Sequence, residues 1–479
     1  MAEWNIPGLA LSIVRDGETE FFEQFGLACA NSRKPITPDT SFGVGSLSKA
    51  VTSLGIMLLS QRNALELDAP IGHYLSELGA ETNTLASRPT IGEFLCHMTG
   101  FGRRGYHEYS WLDVQDRLAH FRGLTPYETE GKTFRMANIN YTIMGRLIEH
   151  VSSMRFAEFI QKEIFAPLGM THGTMPVEPE PAKPEDRAQH YGIDAGRLVG
   201  LPSITDSSSA ASHGMRMSAS DTLELLKFAT GSAPHRQAIG LSETGCSTWQ
   251  HCDAPIGSQQ MAPFFYAFLS ERKGGYGWYK MQFKGVEIRQ IVGRIFGNQA
   301  ILLVMPKFRA GLMLHLNATL HYPAFHPVAS ALIYDICAGW LGESSKSWSD
   351  VQYPATYFDQ ENEAFMKKAR RKVDREQSAV SLGEDGLKPG SYHHPKYENI
   401  KIFKRGGNHY LHSTEETIGT RRLSRIDPDT YQLLYPDAAV QRMYPFRDTM
   451  KVQDEGQTLN VMGRVYKPMT DGSLDAAYD

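Results

Sequence analysis

Cysteine is scarce in this chain: Cys29, Cys96, Cys246, Cys252 and Cys337 are the only five in 479 residues, and no two form a C-x-x-C pair. An odd number without paired spacing argues against a disulfide framework or a thiolate metal centre, and fits a reducing compartment. Long apolar runs are missing too. Ala300 to Pro306 is among the longest and falls far short of the roughly 18 residues of a bilayer span, so no transmembrane helix is expected. Net charge is only −4, which gives no single-signed surface for nucleic acid or for an anionic membrane. Met1 to Ile13 carry Glu3 and Pro7-Gly8 in place of the basic start and unbroken apolar core of an export signal. The expectation is a cytoplasmic protein whose partner is a small molecule, with neither nucleic acid nor membrane involved.

What the chain does contain is a clear order of patterns. Gly8 to Val14 and Glu20 to Gly26 are extended runs separated by Asp16-Gly17, a hairpin signal. From Ser46 to Arg62 the apolar residues Leu47, Ala50, Val51, Leu54, Met57 and Leu58 recur at helical spacing, which predicts a helix buried on most of one face. Further helices are read at Thr90 to Cys96, Asn140 to Val151, Phe156 to Ile164, Ser220 to Phe228 and Pro327 to Trp340. Strands return at Tyr276 to Phe283, Val286 to Val292, Gln299 to Val304 and Gly311 to Leu316. The fold class expected is α+β, an antiparallel sheet with a helical insert, over residues 1–345. A polar, charged linker or exposed helix follows at 346–388. Alternating aromatic segments spaced by Gly, Asn and Asp then predict a small all-β domain over 389–479.

Chemistry concentrates at Ser46-Leu47-Ser48-Lys49. A hydroxyl in the first turn of a helix and an amine three residues later share one helical face, so the amine can reach the hydroxyl. Serine becomes a nucleophile when a base takes its proton, and a lysine can do so once burial lowers its pKa. The helix N-terminus adds backbone N–H groups for a developing oxyanion. As a bare pattern S-x-x-K is weak, and Ser270-Glu271-Arg272-Lys273 is a second instance in a charged context. Taken alone, the first instance could equally be a helix N-cap beside a solvated lysine.

The flanks favour the catalytic reading. S-x-x-K is a signature of β-lactamases and penicillin-binding proteins, and the chain resembles a class C β-lactamase-type serine hydrolase or transesterase. The resemblance runs through Ile6-Pro7-Gly8, Pro38-Asp39-Thr40-Ser41-Phe42, Gly45 to Lys49, Leu65 to Leu75, Phe94 to Gly100 and Ile164 to Met170. It covers about the first 340 residues, and Pro389-Gly390-Ser391-Tyr392 resembles the start of the barrel-like domain appended to some members. It implies a β-lactamase/transpeptidase-like fold with Ser46 as nucleophile and Lys49 as base, and it calls for no metal or cofactor.

Two departures accompany the matches. Where the family has Tyr-x-Asn, this chain has Met136-Ala137-Asn138, so the asparagine is kept and the proton-relaying tyrosine is not; a thioether has no exchangeable proton. Met136 is expected to face the pocket, and Tyr141 is the neighbouring candidate to replace the hydroxyl. The family's Lys- or His-x-Gly element falls on Ile291-Val292-Gly293-Arg294, which retains Gly293 and lacks the cation. Arg294 could complete an oxyanion hole through its N–H or supply the missing charge. Asn138, Gly293 and Arg294 are thus the expected oxyanion and substrate-binding residues, with Tyr106, Tyr109, Trp111 and Tyr127 as candidate pocket aromatics and His97 as a structural histidine.

The resemblance implies attack on an ester, thioester or amide of a small molecule. The acyl group would pass to water or another hydroxyl, in intracellular secondary-metabolite biosynthesis, with a thioester carrier among the candidate partners. Loss of the tyrosine and the cation supports an alternative, a pocket that binds a metabolite or catalyses isomerisation or cyclisation. It also leads one to expect slow hydrolysis of ordinary esters.

Overall fold

The computed structural model describes residues 1, 5–75, 89–100, 133–173, 186–194, 197–201, 209–256, 269–295, 297–319, 327–343, 387, 389–393, 400–405, 408–413, 420–427, 430–434, 449–453, 458–461 and 464–468.

The chain enters as an antiparallel hairpin of Gly8–Arg15 and Glu18–Cys29. Asp16 and Gly17 at its turn have φ of 52° and 83°; two successive left-handed residues are what a tight primed turn requires, and Asp-Gly provides them at low cost. The hairpin joins a nine-stranded sheet in the order Lys34–Pro35, Glu18–Cys29, Gly8–Arg15, Ala310–Leu316, Asn298–Met305, Val286–Ile295, Tyr279–Phe283, Leu269–Gly275, Cys252–Pro255. Every neighbouring pair is antiparallel.

The central strand Asn298–Met305 is buried along its whole length. Side chains alternate across a strand, so Ala300, Leu302 and Val304 enter one core while Ile301, Leu303 and Met305 enter another. That two-sided burial explains an apolar run without alternation. One face is covered by the helix Pro327–Trp340 through Ile333, Tyr334 and Cys337. The other is covered by helix α1, Leu47–Gln61, with the helices Asn138–Ser152, Phe156–Ile160 and Ala219–Ala229 around it.

Two elements differ from the sequence reading in ways that shape the site. α1 is buried on every side from Leu47 to Leu59, not on one face, because the sheet packs on one flank and helices on the others. Its hydroxyls pair inside: Thr52 Oγ1 donates to the Ala211 carbonyl at 2.7 Å and Ser53 Oγ to that of Tyr276 at 2.8 Å. The strand expected to end at Val292 continues to Ile295. Its pairing with Tyr279–Phe283 stops at Gln290, while its other edge stays paired with Asn298–Leu302. Residues 291–295 therefore have one edge turned toward α1.

From Gly390 to Pro468 eight strands close into an antiparallel barrel. Ile400, Ile402, Leu411, Leu423, Tyr431, Leu433, Met450, Leu459 and Val461 form its own buried cluster. Leu387, the one described residue of 346–388, belongs to that cluster, and Leu201 packs on it from the sheet domain. No described helix is long and apolar enough to cross a membrane.

Candidate active site

The site begins with two glycines. Gly45 has φ of +53°, and a Cβ there would lie 2.4 Å from the Arg294 backbone nitrogen; a Cβ on Gly293 would lie 1.8 Å from the Val44 carbonyl oxygen. Only residues without side chains let the turn 44–46 and the end of the Val286–Ile295 strand touch backbone to backbone. Ser46, at the start of α1, is held beside that strand end. Among the described residues its backbone N–H has no hydrogen-bond partner.

Lys49 Nζ lies 2.9 Å from Ser46 Oγ and donates to the Ser212 carbonyl at 2.8 Å. The lysine is 3% exposed, and burial lowers its pKa to about 7, because the charged form loses its hydration. Ser46 itself is only partly buried, so the nucleophile is reachable from outside and its base is not. A neutral amine that gives one N–H to Ser212 keeps its lone pair for the Ser46 proton.

The Asn138–Ser152 helix forms the adjoining wall. Asn138 is 8% exposed, and its side-chain amide lies 3.2 Å from His213 Nδ1. Met136 is half-buried just before this helix and packs on the main core. His97 braces the same entry. Its Nδ1 lies 3.3 Å from the Ala137 N–H and 3.3 Å from the Asn140 amide, and its carbonyl accepts from Arg135 N–H at 2.8 Å. Burial, with Lys49 nearby, pushes the His97 pKa down to about 3, so the ring is neutral and structural.

Tyr141 does not replace the missing relay. It is fully buried; its hydroxyl donates to the Leu95 carbonyl at 2.9 Å, and burial raises its pKa well above the usual phenol value. Its ring does lie 5.7 Å from Lys49 Nζ, within cation–π range. Ile291, at the position where the family places its cation, is 1% exposed and belongs to the core. Arg294 is half-buried at the strand end. Tyr106, Tyr109, Trp111 and Tyr127 lie outside the described residues. The second S-x-x-K sits in the strand Leu269–Gly275, where Ser270 is exposed and Lys273 faces Asp253 at 3.8 Å.

Sequence reasoning missed Ser212 and His213. They belong to a single π-helical turn, Ala210–Gly214, packed against α1 and the Asn138 helix. No motif marks them, and His213 meets an asparagine 75 residues away. No three described His, Cys, Asp or Glu side chains converge as a metal site.

The family model described as Beta-lactamase matches residues 1–325. The chain belongs to the Beta-lactamase family. A relative named unguisins hydrolase, from Aspergillus campestris, is 23% identical over 423 residues, 83% of this chain and 75% of its own length. The Beta-lactamase fold is also seen in solved structures of low identity. The octameric penicillin-binding protein homologue from Pyrococcus abyssi superposes with a TM-score of 0.59 at 22% identity, covering 98% of this chain and 97% of that one. A class C β-lactamase from Rhodobacter sphaeroides gives 0.54 at 21%, covering 71% of this chain and 96% of its own.

Proposed function

We propose that the protein is a β-lactamase-type serine hydrolase that opens an ester, thioester or amide of a small metabolite through an acyl-enzyme on Ser46. The observation that carries this reading is the Lys49 amine, buried, 2.9 Å from Ser46 Oγ and with a pKa lowered to about 7. A lysine held near neutrality takes a serine proton at physiological pH, whereas one at its ordinary value stays protonated. The Ser46 N–H at the start of α1, with the Arg294 backbone nitrogen across the glycine contact, is the region that would hold the oxyanion. Asn138 would orient the substrate beside it.

Family membership and the relative named as a hydrolase of unguisins support placing the reaction in natural-product metabolism. Transfer of the acyl group to a hydroxyl or amine in place of water uses the same groups. A pocket without acyl chemistry is favoured by Met136 and Ile291, but such a pocket has no need of a depressed lysine pKa. The deciding experiment is reaction with a fluorophosphonate followed by intact-mass measurement. One adduct per chain, absent in Ser46→Ala, is expected; an unlabelled wild type would overturn the reading.

A further inference from the structure

We propose that Thr52 is a positioning residue for the Lys49 base, anchoring the Ala210–Gly214 turn so that the Ser212 carbonyl meets the amine; the proposal rests on Ser46 acting as the nucleophile. Thr52 lies three residues after Lys49, one turn further along the same face of α1. Both side chains are buried, and both reach one pair of neighbouring carbonyls. Thr52 Oγ1 is 2.7 Å from the Ala211 oxygen, and Lys49 Nζ is 2.8 Å from that of Ser212. The Thr52 hydroxyl also lies 3.1 Å from the Ser48 carbonyl of its own helix, and the shorter contact is the one that crosses to the turn. Ser48 pins the exit of the turn, accepting from the Met215 N–H at 3.2 Å while donating to the Gly45 carbonyl at 2.7 Å.

Side chains are needed here because the turn ends too soon to satisfy itself. A π-helical carbonyl bonds to the N–H five residues on, and for Ala211 and Ser212 those residues, Arg216 and Met217, belong to the strand Arg216–Ser218 paired with Ser41–Gly43. The two carbonyls take their donors from α1 instead. They flank a rigid peptide plane, so fixing the Ala211 oxygen limits how far the Ser212 oxygen can swing. The amine depends on that limit. With one N–H held by Ser212, its lone pair stays aimed at the proton of Ser46 Oγ, 2.9 Å away. A carbonyl free to tilt lets the amine turn away, and proton transfer slows. Thr52 thus acts through Ser212 and exchanges no proton with Ser46 itself.

The test is the first-order rate of Ser46 labelling at saturating fluorophosphonate and pH 8.5, above the Lys49 pKa of about 7, with urea unfolding measured alongside. In this reaction Ser46 Oγ displaces fluoride while its proton passes to Lys49, so the rate reads that transfer and needs no protonated leaving group. Thr52→Val keeps the shape and removes the donor; labelling is expected to slow about fivefold to tenfold, the worth of one hydrogen bond. Thr52→Ser keeps the donor and should stay within about twofold of the wild type. Ser53→Ala is the matched control, since it removes an equally buried hydroxyl one position on, whose 2.8 Å bond goes to Tyr276 and not to the turn. It should lose stability without slowing by more than about twofold. Should Thr52→Val fail to fold, Thr52→Cys takes its place beside Thr52→Ser, because its thiol is the weaker donor; it should be the slower of the two. A folded Thr52→Val labelled at the wild-type rate, a Thr52→Ser as slow as Thr52→Val or Thr52→Cys, or a Ser53→Ala slowed as much as Thr52→Val would each overturn the role of Thr52. A wild type that is not labelled would overturn the acyl-enzyme reading, and this role with it.

Discussion

Burying the Lys49 amine costs the fold stability at neutral pH, and the cost titrates. The folded pKa of about 7 lies below the ordinary 10.5, so between these values the unfolded chain holds a proton that the native state has lost. Stability from this group therefore rises with pH across that window, by up to about 1.4 kcal/mol per unit, and the full penalty is expressed below about 7. Urea unfolding of the wild type and Lys49→Met at pH 7, 8.5 and 10 should show the variant losing ground to the wild type as pH rises. A difference that does not change with pH would mean that the ammonium is not buried. The same substitution should abolish labelling of Ser46. Met136 gives a second prediction at this scale. If the missing tyrosine hydroxyl limits protonation of the leaving group, Met136→Tyr raises turnover of an alkyl ester such as methyl butyrate at least about tenfold. An unchanged rate would show that another group already delivers the proton.

At the scale of elements, the site depends on how closely the start of α1 and the Val286–Ile295 strand approach. Gly293 makes that approach possible, since a Cβ there would overlap the Val44 carbonyl at 1.8 Å. Backbone atoms cannot yield as a flexible side chain does, so Gly293→Ala must push the strand away from the nucleophile turn. A loss of about 1–3 kcal/mol in unfolding free energy is expected from the overpacking. A fall of about 10²-fold in Ser46 labelling rate should accompany it as the oxyanion region opens. Unchanged labelling in a stable variant would show that the strand end takes no part. α1 teaches a related lesson about reading periodicity. Its apolar stripe was legible, but Ser48, Lys49, Thr52 and Ser53 on the remaining faces are buried as well. Each is tolerated because a carbonyl from a distant segment or a nearby turn satisfies it: Gly45 for Ser48, Ser212 for Lys49, Ala211 for Thr52, Tyr276 for Ser53.

Over the whole molecule, the barrel has its own buried cluster, which Leu201 joins from the sheet domain. Leu411→Ala, at a fully buried barrel position, should lower barrel stability by about 2–5 kcal/mol. Ser46 labelling should survive, and calorimetry should show only one of two transitions shifted; a single transition moving as a unit would mean that the two cores unfold together. By itself the sequence determined the features that depend on neighbours along the chain. Asp16-Gly17 marked the first turn, the apolar spacing after Ser46 marked α1, and the Ser46–Lys49 separation put both side chains on one helical face. The family motifs then supplied the fold and the departures at Met136 and Ile291. Only the tertiary structure decided whether Lys49 is buried, because its desolvation comes from helices and strands far away in the chain. It also turned Tyr141 from a candidate relay into a core residue bonded to Leu95, and set His213 against Asn138 and beside the residue that holds Lys49. The physical reason is the same in each case: a local pattern fixes which way a side chain points, while its hydration and its partners are fixed by whatever segment packs against it.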